Sequence, residues 1–106
     1  MKRANSSKLK EDISATLPLD GMRVLDLTDE RGELGPWMLG ELGADVIKVE
    51  PVGGVRSRGA LPLQKDDESD LRSLQFCAYN SNKRSIVIDL DAHSGRLLME
   101  DLIETA

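Results

Sequence analysis

The sequence is poor in the residues that build metal centres, disulfides and aromatic cores. It has 106 residues, with one cysteine, one histidine and one each of Trp, Tyr and Phe. A single cysteine, Cys77, cannot form an internal disulfide and is typical of a reducing compartment, so we expect a cytoplasmic location. We also expect the Cys77 side chain to be buried as a small apolar group. His93 has no cysteine or histidine partner at metal-ligand spacing, and we expect a surface histidine and no metal site.

Two classes of partner are also disfavoured by what the sequence lacks. The net charge is −5, from 14 basic and 19 acidic residues, whereas a nucleic-acid surface needs a basic face. No stretch approaches the roughly 20 consecutive apolar residues of a membrane helix. We therefore expect neither a nucleic acid nor a membrane as partner.

The composition divides the chain into a tail and one domain. Residues 1–16 are polar and basic, with no apolar run behind them, which predicts a flexible tail rather than a signal peptide. Residues 17–106 hold the aliphatic segments, and this length allows at most one domain. The charged run Lys65–Asp70 is expected to be an exposed connection.

A strand, a helix and a second strand follow one another at the centre of this domain. The apolar run Arg23–Thr28 is a predicted strand, and Pro36 opens a helix that Gly43 closes. The run Asp45–Glu50 is the next strand, and Pro51 stops it. Two strands joined through a helix are parallel in nearly all cases, so the pattern predicts an α/β fold with an open parallel sheet. Such sheets bind ligands at the carboxyl ends of their strands.

The second half predicts one more strand and a final helix. Residues 71–79 are ambiguous between helix and strand, and residues 80–84 have a turn composition. Ser85–Leu90 is nearly all apolar, as buried parallel strands are. Asp91 is a candidate cap for a helix that continues to residue 106. Because three strands leave open edges and faces, we expect the chain to be the amino-terminal part of a larger protein.

The residues alone do not determine which ligand the sheet edge binds. Glu50, at the end of a strand, is where a dinucleotide-binding protein places its ribose-binding acid, but the G-x-G-x-x-G fingerprint is absent, so a nicotinamide cofactor is disfavoured. Four cations, Arg56, Arg58, Lys83 and Arg84, follow or precede predicted strands. They predict either a phosphate site at the sheet edge or four solvated loop charges, and their spacing favours neither.

Several runs together resemble the amino-terminal part of the class III CoA-transferases. The runs are Gly35–Pro36, Leu42–Pro51, Gly53–Gly54 followed by Arg58, and Asn80–Ile86. The similarity extends from about Leu19 to Gly95.

This resemblance implies a Rossmann-like domain in a cytosolic, interlocked homodimer. Members move CoA from an acyl-CoA donor to a small carboxylic acid through an aspartyl intermediate. Related racemases of 2-methylacyl-CoA share the fold. The nucleophilic aspartate of the family lies beyond this chain, so the resemblance implies no catalytic residue here. The alternative is a stand-alone nucleotide-binding, CoA-binding or interaction module without catalysis.

The resemblance also implies that loops and cations of this chain contact CoA. The expected contacts are Glu33, Leu34, Gly35, Pro36, Arg58, Lys83, Arg84, Ile88, Asp89, Leu90 and Asp91. Two positions depart from the family pattern. Asp91 stands where some members have lysine, and Pro51 where some have arginine, so this chain has fewer cations for a phosphate. Asp26, Asp45 and Asp89 are expected to be structural parts of strands.

Overall fold

The computed structural model describes residues 17–65 and 71–106. The predicted tail and most of the predicted charged connection lie outside these residues. In chain order the elements are β1 Arg23–Asp26, α1 Leu34–Glu41, β2 Asp45–Glu50, a 3-10 turn Arg56–Gly59, β3 Leu63–Lys65, β4 Leu71–Ser73, α2 Leu74–Asn80, β5 Lys83–Val87 and α3 His93–Ile103.

A parallel sheet of three strands, in the order β1-β2-β5, organises the fold. Arg23 pairs with Asp45 across β1 and β2, and Val46 pairs with Lys83 across β2 and β5. The predicted α/β fold with an open parallel sheet is therefore confirmed. All three carboxyl ends lie at one edge, which is where ligands of such sheets bind.

The apolar core is centred on β2, because this strand has a neighbour on each side. Val46, Ile47 and Val49 are buried in it, together with Ala44 before it and Ile88 after β5. Many other large aliphatic side chains are at the surface; α3, for example, exposes Leu97, Leu98 and Ile103. The core of the described residues is consequently small.

The end of α1 follows the predicted glycine. Gly43 has a φ of +105°, which glycine adopts without steric cost. Its N–H bonds the carbonyl of Gly40 and the next N–H bonds that of Leu39, which is the Schellman pattern of helix ends. A Cβ on Gly43 would lie 2.7 Å from the Leu17 Cβ. Glycine is therefore required for both conformation and space.

The first and third predicted strands have different bounds in the structure. β1 ends at Asp26 because the side chain of that residue accepts hydrogen bonds from the N–H and hydroxyl of Thr28, which turns the chain. The third strand begins at Lys83 rather than Ser85 and ends at Val87 rather than Leu90. Its side chains from Arg84 to Val87 are exposed, because the described residues do not cover the faces of the sheet to which they point, so the expected burial is wrong.

The ambiguous segment contains both candidate structures. β4 pairs antiparallel with β3, and α2 follows directly, capped by the Ser73 hydroxyl, which accepts from the Phe76 N–H at 3.1 Å. The predicted charged connection thus has β3 before it and β4 after it, and its composition gave no sign that these two strands pair. Cys77 is exposed on α2, so its predicted burial is wrong. Asn80 ends α2, and the turn is limited to Ser81 and Asn82.

The final helix differs from its prediction at both ends. Its cap residue is Ala92, without a side-chain hydrogen bond, so the predicted capping role of Asp91 is wrong. The Asp89 side chain instead accepts from the Asp91 N–H at 3.0 Å, and Asp89 lies in a loop rather than in a strand. The helix ends at Ile103. His93 is its exposed first residue, as expected.

Candidate functional site

An open cleft of about 480 Å³ lies at the carboxyl ends of the three parallel strands. We call it the carboxyl-edge cleft. Its lining comes from the residues that follow β1, end β2 and follow β5: Leu27, Val49, Glu50, Pro51, Val52, Ile88, Asp89, Leu90 and Asp91. All four residues of the predicted contact segment from Ile88 to Asp91 are therefore part of the lining.

The loop after β5 is fixed against both β2 and α3. The Ile88 N–H donates to the Glu50 carbonyl at 2.9 Å, which extends the pairing of β5 with β2. On the other side, Arg96 Nη1 donates to the carbonyls of Leu90 at 3.3 Å and Asp91 at 3.1 Å. Gly95 lies against this loop so closely that a Cβ would be 1.8 Å from the Asp89 carbonyl oxygen. The floor of the cleft is thus positioned by backbone contacts.

A buried carboxylate fixes the loop after β2. Glu50 is 1% exposed, and Arg58 donates to its two carboxylate oxygens at 2.5 and 2.7 Å. The Val55 N–H donates at 3.0 Å and the Ser85 hydroxyl donates as well. The Arg58 guanidinium also lies 4.4 Å from the centre of the Phe76 ring, a cation–π distance. Every oxygen of Glu50 is therefore satisfied within the protein.

This arrangement corrects one interpretation of the sequence. A ribose-binding acid must offer its carboxylate to the ligand, whereas that of Glu50 is buried and bonded by Arg58. The structure therefore contradicts the role of Glu50 as a nicotinamide-ribose ligand. Arg58 lies at the carboxyl edge, as predicted, but its guanidinium already holds Glu50.

We expect these carboxylates to make stability depend on acidic pH. The hydrogen bonds from Arg58 lower the pKa of Glu50 from 4.5 to about 2. Burial raises the pKa of Asp26, but hydrogen bonds from Lys83 and Thr28 outweigh it and hold that pKa below its usual value. Both carboxylates have a lower pKa in the folded than in the unfolded chain. Their stabilisation is therefore complete above the unfolded-state pKa and is lost as the pH falls from there through the folded-state pKa. The urea midpoint of the chain should fall between pH 4.5 and pH 2.

The variant Glu50→Gln tests the contribution of Glu50. It cannot titrate, so its urea midpoint should be lower than that of the native chain at pH 6 and should vary less with pH in that window. Parallel pH profiles for the two proteins would contradict the assignment.

Four buried charges form a cluster that joins β1, β2 and β5 to the residue before α1. Asp26, Glu33, Lys48 and Lys83 have side chains at most 1% exposed, and we call them the buried charge cluster. Lys48 Nζ lies 2.7 Å from Glu33 Oε2 and 3.4 Å from Asp26 Oδ2, and Lys83 Nζ lies 2.8 Å from Asp26 Oδ2. With two acids and two bases the cluster is neutral, which is what allows charges to be buried.

Two predicted CoA contacts belong to this cluster rather than to an open surface. Glu33 Oε2 accepts from the Ser57 hydroxyl at 2.8 Å and from Asn80 Nδ2 at 3.0 Å. Its Oε1 is buried without a hydrogen-bond partner among the residues that the structure describes. Lys83 donates to the Glu33 carbonyl and to the Asn80 side chain. The charged groups of Glu33 and Lys83 are therefore engaged within the protein.

Of the two arrangements left open for the four cations, the structure does not show convergence on one phosphate site. Arg84 bonds Asp45, the first residue of β2, and so lies at the amino ends of the strands. Lys83 belongs to the buried charge cluster, where its Nζ bonds Asp26 Oδ2 and the Glu33 carbonyl. Arg56 pairs with Glu30 in an exposed contact. Arg56 and Arg58 both lie in the 3-10 turn that follows β2, and neither is among the residues that line the carboxyl-edge cleft.

The remaining predicted contacts are at the start of α1. Leu34 is 51% exposed, and a Cβ on Gly35 would meet no heavy atom within 4 Å. Pro36 is half-buried at the third helical position, where its missing N–H costs no intrahelical bond. These three residues are accessible but are outside the lining of the carboxyl-edge cleft.

The expected CoA contacts did not include five residues that also line the cleft: Leu27, Val49, Glu50, Pro51 and Val52. Position was the available signal, since each lies at or just after the carboxyl end of a predicted strand. Within residues 17–65 and 71–106, no group of three His, Cys, Asp or Glu side chains is arranged to hold a metal ion. No described helix has the length and apolar character to cross a membrane.

Comparison with known proteins gives one consistent result. The model of CoA-transferase family III matches residues 19–106. The succinate–glutarate CoA-transferase of Agrobacterium fabrum is 43% identical over 95 residues, which cover 84% of this chain and 23% of that protein. The formyl-CoA:oxalate CoA-transferase of Streptomyces avermitilis is 39% identical over 89 residues, covering 83% and 21%.

The solved structures agree with the sequence matches. A CaiB/BaiF family protein from Brucella suis superposes with a TM-score of 0.70 at 38% identity, covering 84% of this chain and 24% of that one. The chain thus spans about a quarter or less of the length of these relatives. The family match covers most of the chain, and the fold it requires is the one observed. The chain belongs to CoA-transferase family III.

Proposed function

We propose that the chain supplies part of the CoA-binding site of an enzyme that moves CoA between an acyl-CoA donor and a carboxylic acid. The observation that carries the proposal is the carboxyl-edge cleft, since it lies where parallel sheets bind ligands in a chain whose relatives bear the names of CoA-transferases. The transferase alternative is favoured over the racemase because both relatives described above are CoA-transferases.

The apolar side chains that line the cleft support this proposal. Leu27 and Val52 are 53% and 72% exposed on its walls, and Leu90 is 40% exposed on its floor. Ligand sites combine such apolar lining with a few polar groups that fix orientation. Accessible Leu34 and Gly35 at the start of α1 provide a second short segment for contact, as the sequence predicts.

The chemical step is proposed to use a residue outside this chain. An aspartate would attack the acyl-CoA thioester carbonyl to form a mixed anhydride and release the CoA thiolate, which then returns to give an aspartyl-CoA thioester and a free acid. No aspartate of this chain is assigned that role. Asp26 and Asp45 are held in ion pairs by Lys83 and Arg84.

We further propose that the active protein is a cytoplasmic homodimer. Leu97, Leu98 and Ile103 of α3 are about half exposed, and such apolar side chains are candidates for a subunit interface. A stand-alone binding module is the competing proposal. It predicts the same CoA binding but a monomeric protein at all concentrations by sedimentation.

CoA binding to the 106-residue chain tests the site. The variant Val52→Trp places a large ring on a wall of the cleft and should weaken CoA binding at least about tenfold, because it occupies ligand volume. Isothermal titration would measure the affinity of both proteins.

The matched control is Leu98→Trp. Leu98 is also exposed, at 58%, but lies on α3 outside the cleft lining. It should leave the affinity within about twofold of the native value. An equal loss in the two variants, or an affinity that Val52→Trp does not change, would place the CoA site elsewhere.

A further inference from the structure

Glu33, the residue before α1, is held by donors from three other parts of the fold. Its Oε2 atom accepts from the Ser57 hydroxyl at 2.8 Å and from Asn80 Nδ2 at 3.0 Å, and it lies 2.7 Å from Lys48 Nζ. Lys48 belongs to β2, Asn80 ends α2, and Ser57 lies in the 3-10 turn. Hydrogen bonds to an ionised group are among the stronger ones, so they fix the residue that bears the carboxylate. The start of α1 is therefore attached to three elements through one side chain.

The helix itself has little apolar contact to fix its position. None of the eight residues of α1 is buried, and Leu34 and Met38 are 51% and 53% exposed. Helices in proteins are held in place mainly by a buried apolar face, which α1 lacks in the part of the chain that the structure describes. The position of its first turn consequently depends on polar contacts, and those of Glu33 lie directly at its start.

Ser57 joins the start of α1 to the wall of the carboxyl-edge cleft. Val52, on that wall, lies between β2 and the 3-10 turn. The turn is anchored to the end of β2 because Arg58 donates to both carboxylate oxygens of Glu50. In the same turn Ser57 is 0% exposed and donates to Glu33. One buried hydroxyl therefore links the wall of the cleft to the first turn of α1.

We propose that Ser57 is a positioning residue for CoA binding: its hydroxyl, acting through Glu33, sets the distance between the start of α1 and the wall of the carboxyl-edge cleft. Leu34 and Gly35 follow Glu33 directly and are the second segment proposed to contact CoA. A compound that contacts both segments binds more tightly when their separation is fixed beforehand, because less order has to be gained on binding. This inference rests on the proposed function.

Ser57→Ala tests the link, first in the chain without ligand. The single tryptophan, Trp37, donates its backbone N–H to the Glu33 carbonyl at 3.2 Å in the first turn of α1. Without the Ser57 hydroxyl, the Trp37 amide should exchange with solvent about fivefold faster, which corresponds to one hydrogen bond, and the tryptophan emission should move to longer wavelength. The CoA affinity, measured by isothermal titration, should fall by about the same factor.

Ser73→Ala is the matched control. Ser73 is also a buried serine, at 2% exposed, but its hydroxyl caps α2 by accepting from the Phe76 N–H. Loss of this cap should lower the urea midpoint to a similar extent, while the Trp37 exchange and the CoA affinity should stay within about twofold of the native values. Ser57→Cys is a milder second variant, because a thiol is a weak donor, and it should give values between those of the native chain and Ser57→Ala.

The two serine variants separate a positioning role from a general loss of stability. Faster Trp37 exchange together with weaker CoA binding in Ser57→Ala, but not in Ser73→Ala, supports the role. Equal effects of the two variants, or native CoA affinity in Ser57→Ala, would overturn the role and leave the proposed function in place. A native chain that does not bind CoA would overturn the proposed function, and the positioning role in CoA binding with it.

Discussion

Gly95→Ala is expected to separate α3 from the loop that forms the floor of the carboxyl-edge cleft. The added Cβ would lie 1.8 Å from the Asp89 carbonyl oxygen and 2.6 Å from its carbon. These are backbone atoms, so no side-chain rotation relieves the overlap. Either the loop or the helix must move, and we expect a cost of about 3 kcal/mol or more.

The consequence extends from stability to the site. Because the same loop contributes Ile88 to Asp91 to the cleft, CoA binding should fall together with the stability. The urea midpoint and the hydrogen exchange of the α3 amides would measure the first effect, and titration with CoA the second. In a chain with so small a core, the variant is expected to lose most of its cooperative unfolding transition.

Gly35→Ala is the matched control for this substitution. Gly35 is also a helical glycine, but a Cβ there meets no heavy atom within 4 Å. Alanine is the better helix former by up to about 1 kcal/mol, so this variant should be as stable as the native chain or slightly more. If Gly95→Ala matched Gly35→Ala in midpoint and exchange, the close packing of α3 on the Asp89 loop would be wrong.

Lys48→Met is expected to cost about 3–5 kcal/mol, because it leaves buried carboxylates without their cation. Lys48 Nζ lies 2.7 Å from Glu33 Oε2 and also donates to the Thr28 carbonyl at 3.0 Å. Methionine has nearly the length of the lysine stem, so packing changes little and the loss reports on the charge. The urea midpoint at pH 7 is the measurement.

The double variant Lys48→Met/Glu33→Gln identifies the cause. Removing the charge of Glu33 takes away the unpaired ion, so the double variant should be more stable than Lys48→Met alone, by a coupling of about 1–3 kcal/mol. Arg31→Met is the control, since Arg31 is 79% exposed in its pair with Asp29 and such pairs contribute at most about 1 kcal/mol. Equal stability of Lys48→Met and Arg31→Met would mean that the buried charge cluster does not contribute to folding.

The strands and helices that depend on local sequence signals were predictable. The alternation of apolar runs with Pro36 and Gly43 was sufficient for β1, α1 and β2, because proline and glycine restrict or permit backbone angles whatever surrounds them. The bounds of β2, Asp45–Glu50, agree with the prediction residue for residue. Because the strands were predicted to be parallel, the edge of the sheet at which ligands bind could be predicted too.

The side-chain network was not predictable, because it joins residues far apart in sequence. The run from Asn80 to Arg84 has the composition of a turn, yet Asn80 bonds Glu33 and Asn82 Nδ2 donates to the Trp37 carbonyl of α1. Lys48 lies in β2, where a charged residue among apolar ones would be expected to point to solvent, yet its side chain is buried. Pairing across 15 or more positions leaves no local signal in one sequence.

The burial of β5 was mispredicted for a related reason. An apolar run predicts a buried strand only where other elements cover both faces of the sheet, because the side chains of a strand point to those faces. In β5 the described residues leave the faces uncovered. Ile86 and Val87 are therefore 40% and 55% exposed. The segment from Ile88 to Asp91, by contrast, was expected from the family resemblance, and the structure places all four of its residues in the lining of the carboxyl-edge cleft.

The central claim is that the carboxyl-edge cleft binds CoA, and its most direct test is a CoA titration of the ¹⁵N-labelled chain followed by NMR. We predict that the amide signals of Leu27, Val49, Glu50, Val52 and Ile88 to Asp91 shift together and saturate with one affinity, while those at the amino ends of the strands, such as Asp45 and Arg84, stay in place. Shifts centred on those amino ends, or no saturable shift, would contradict the claim.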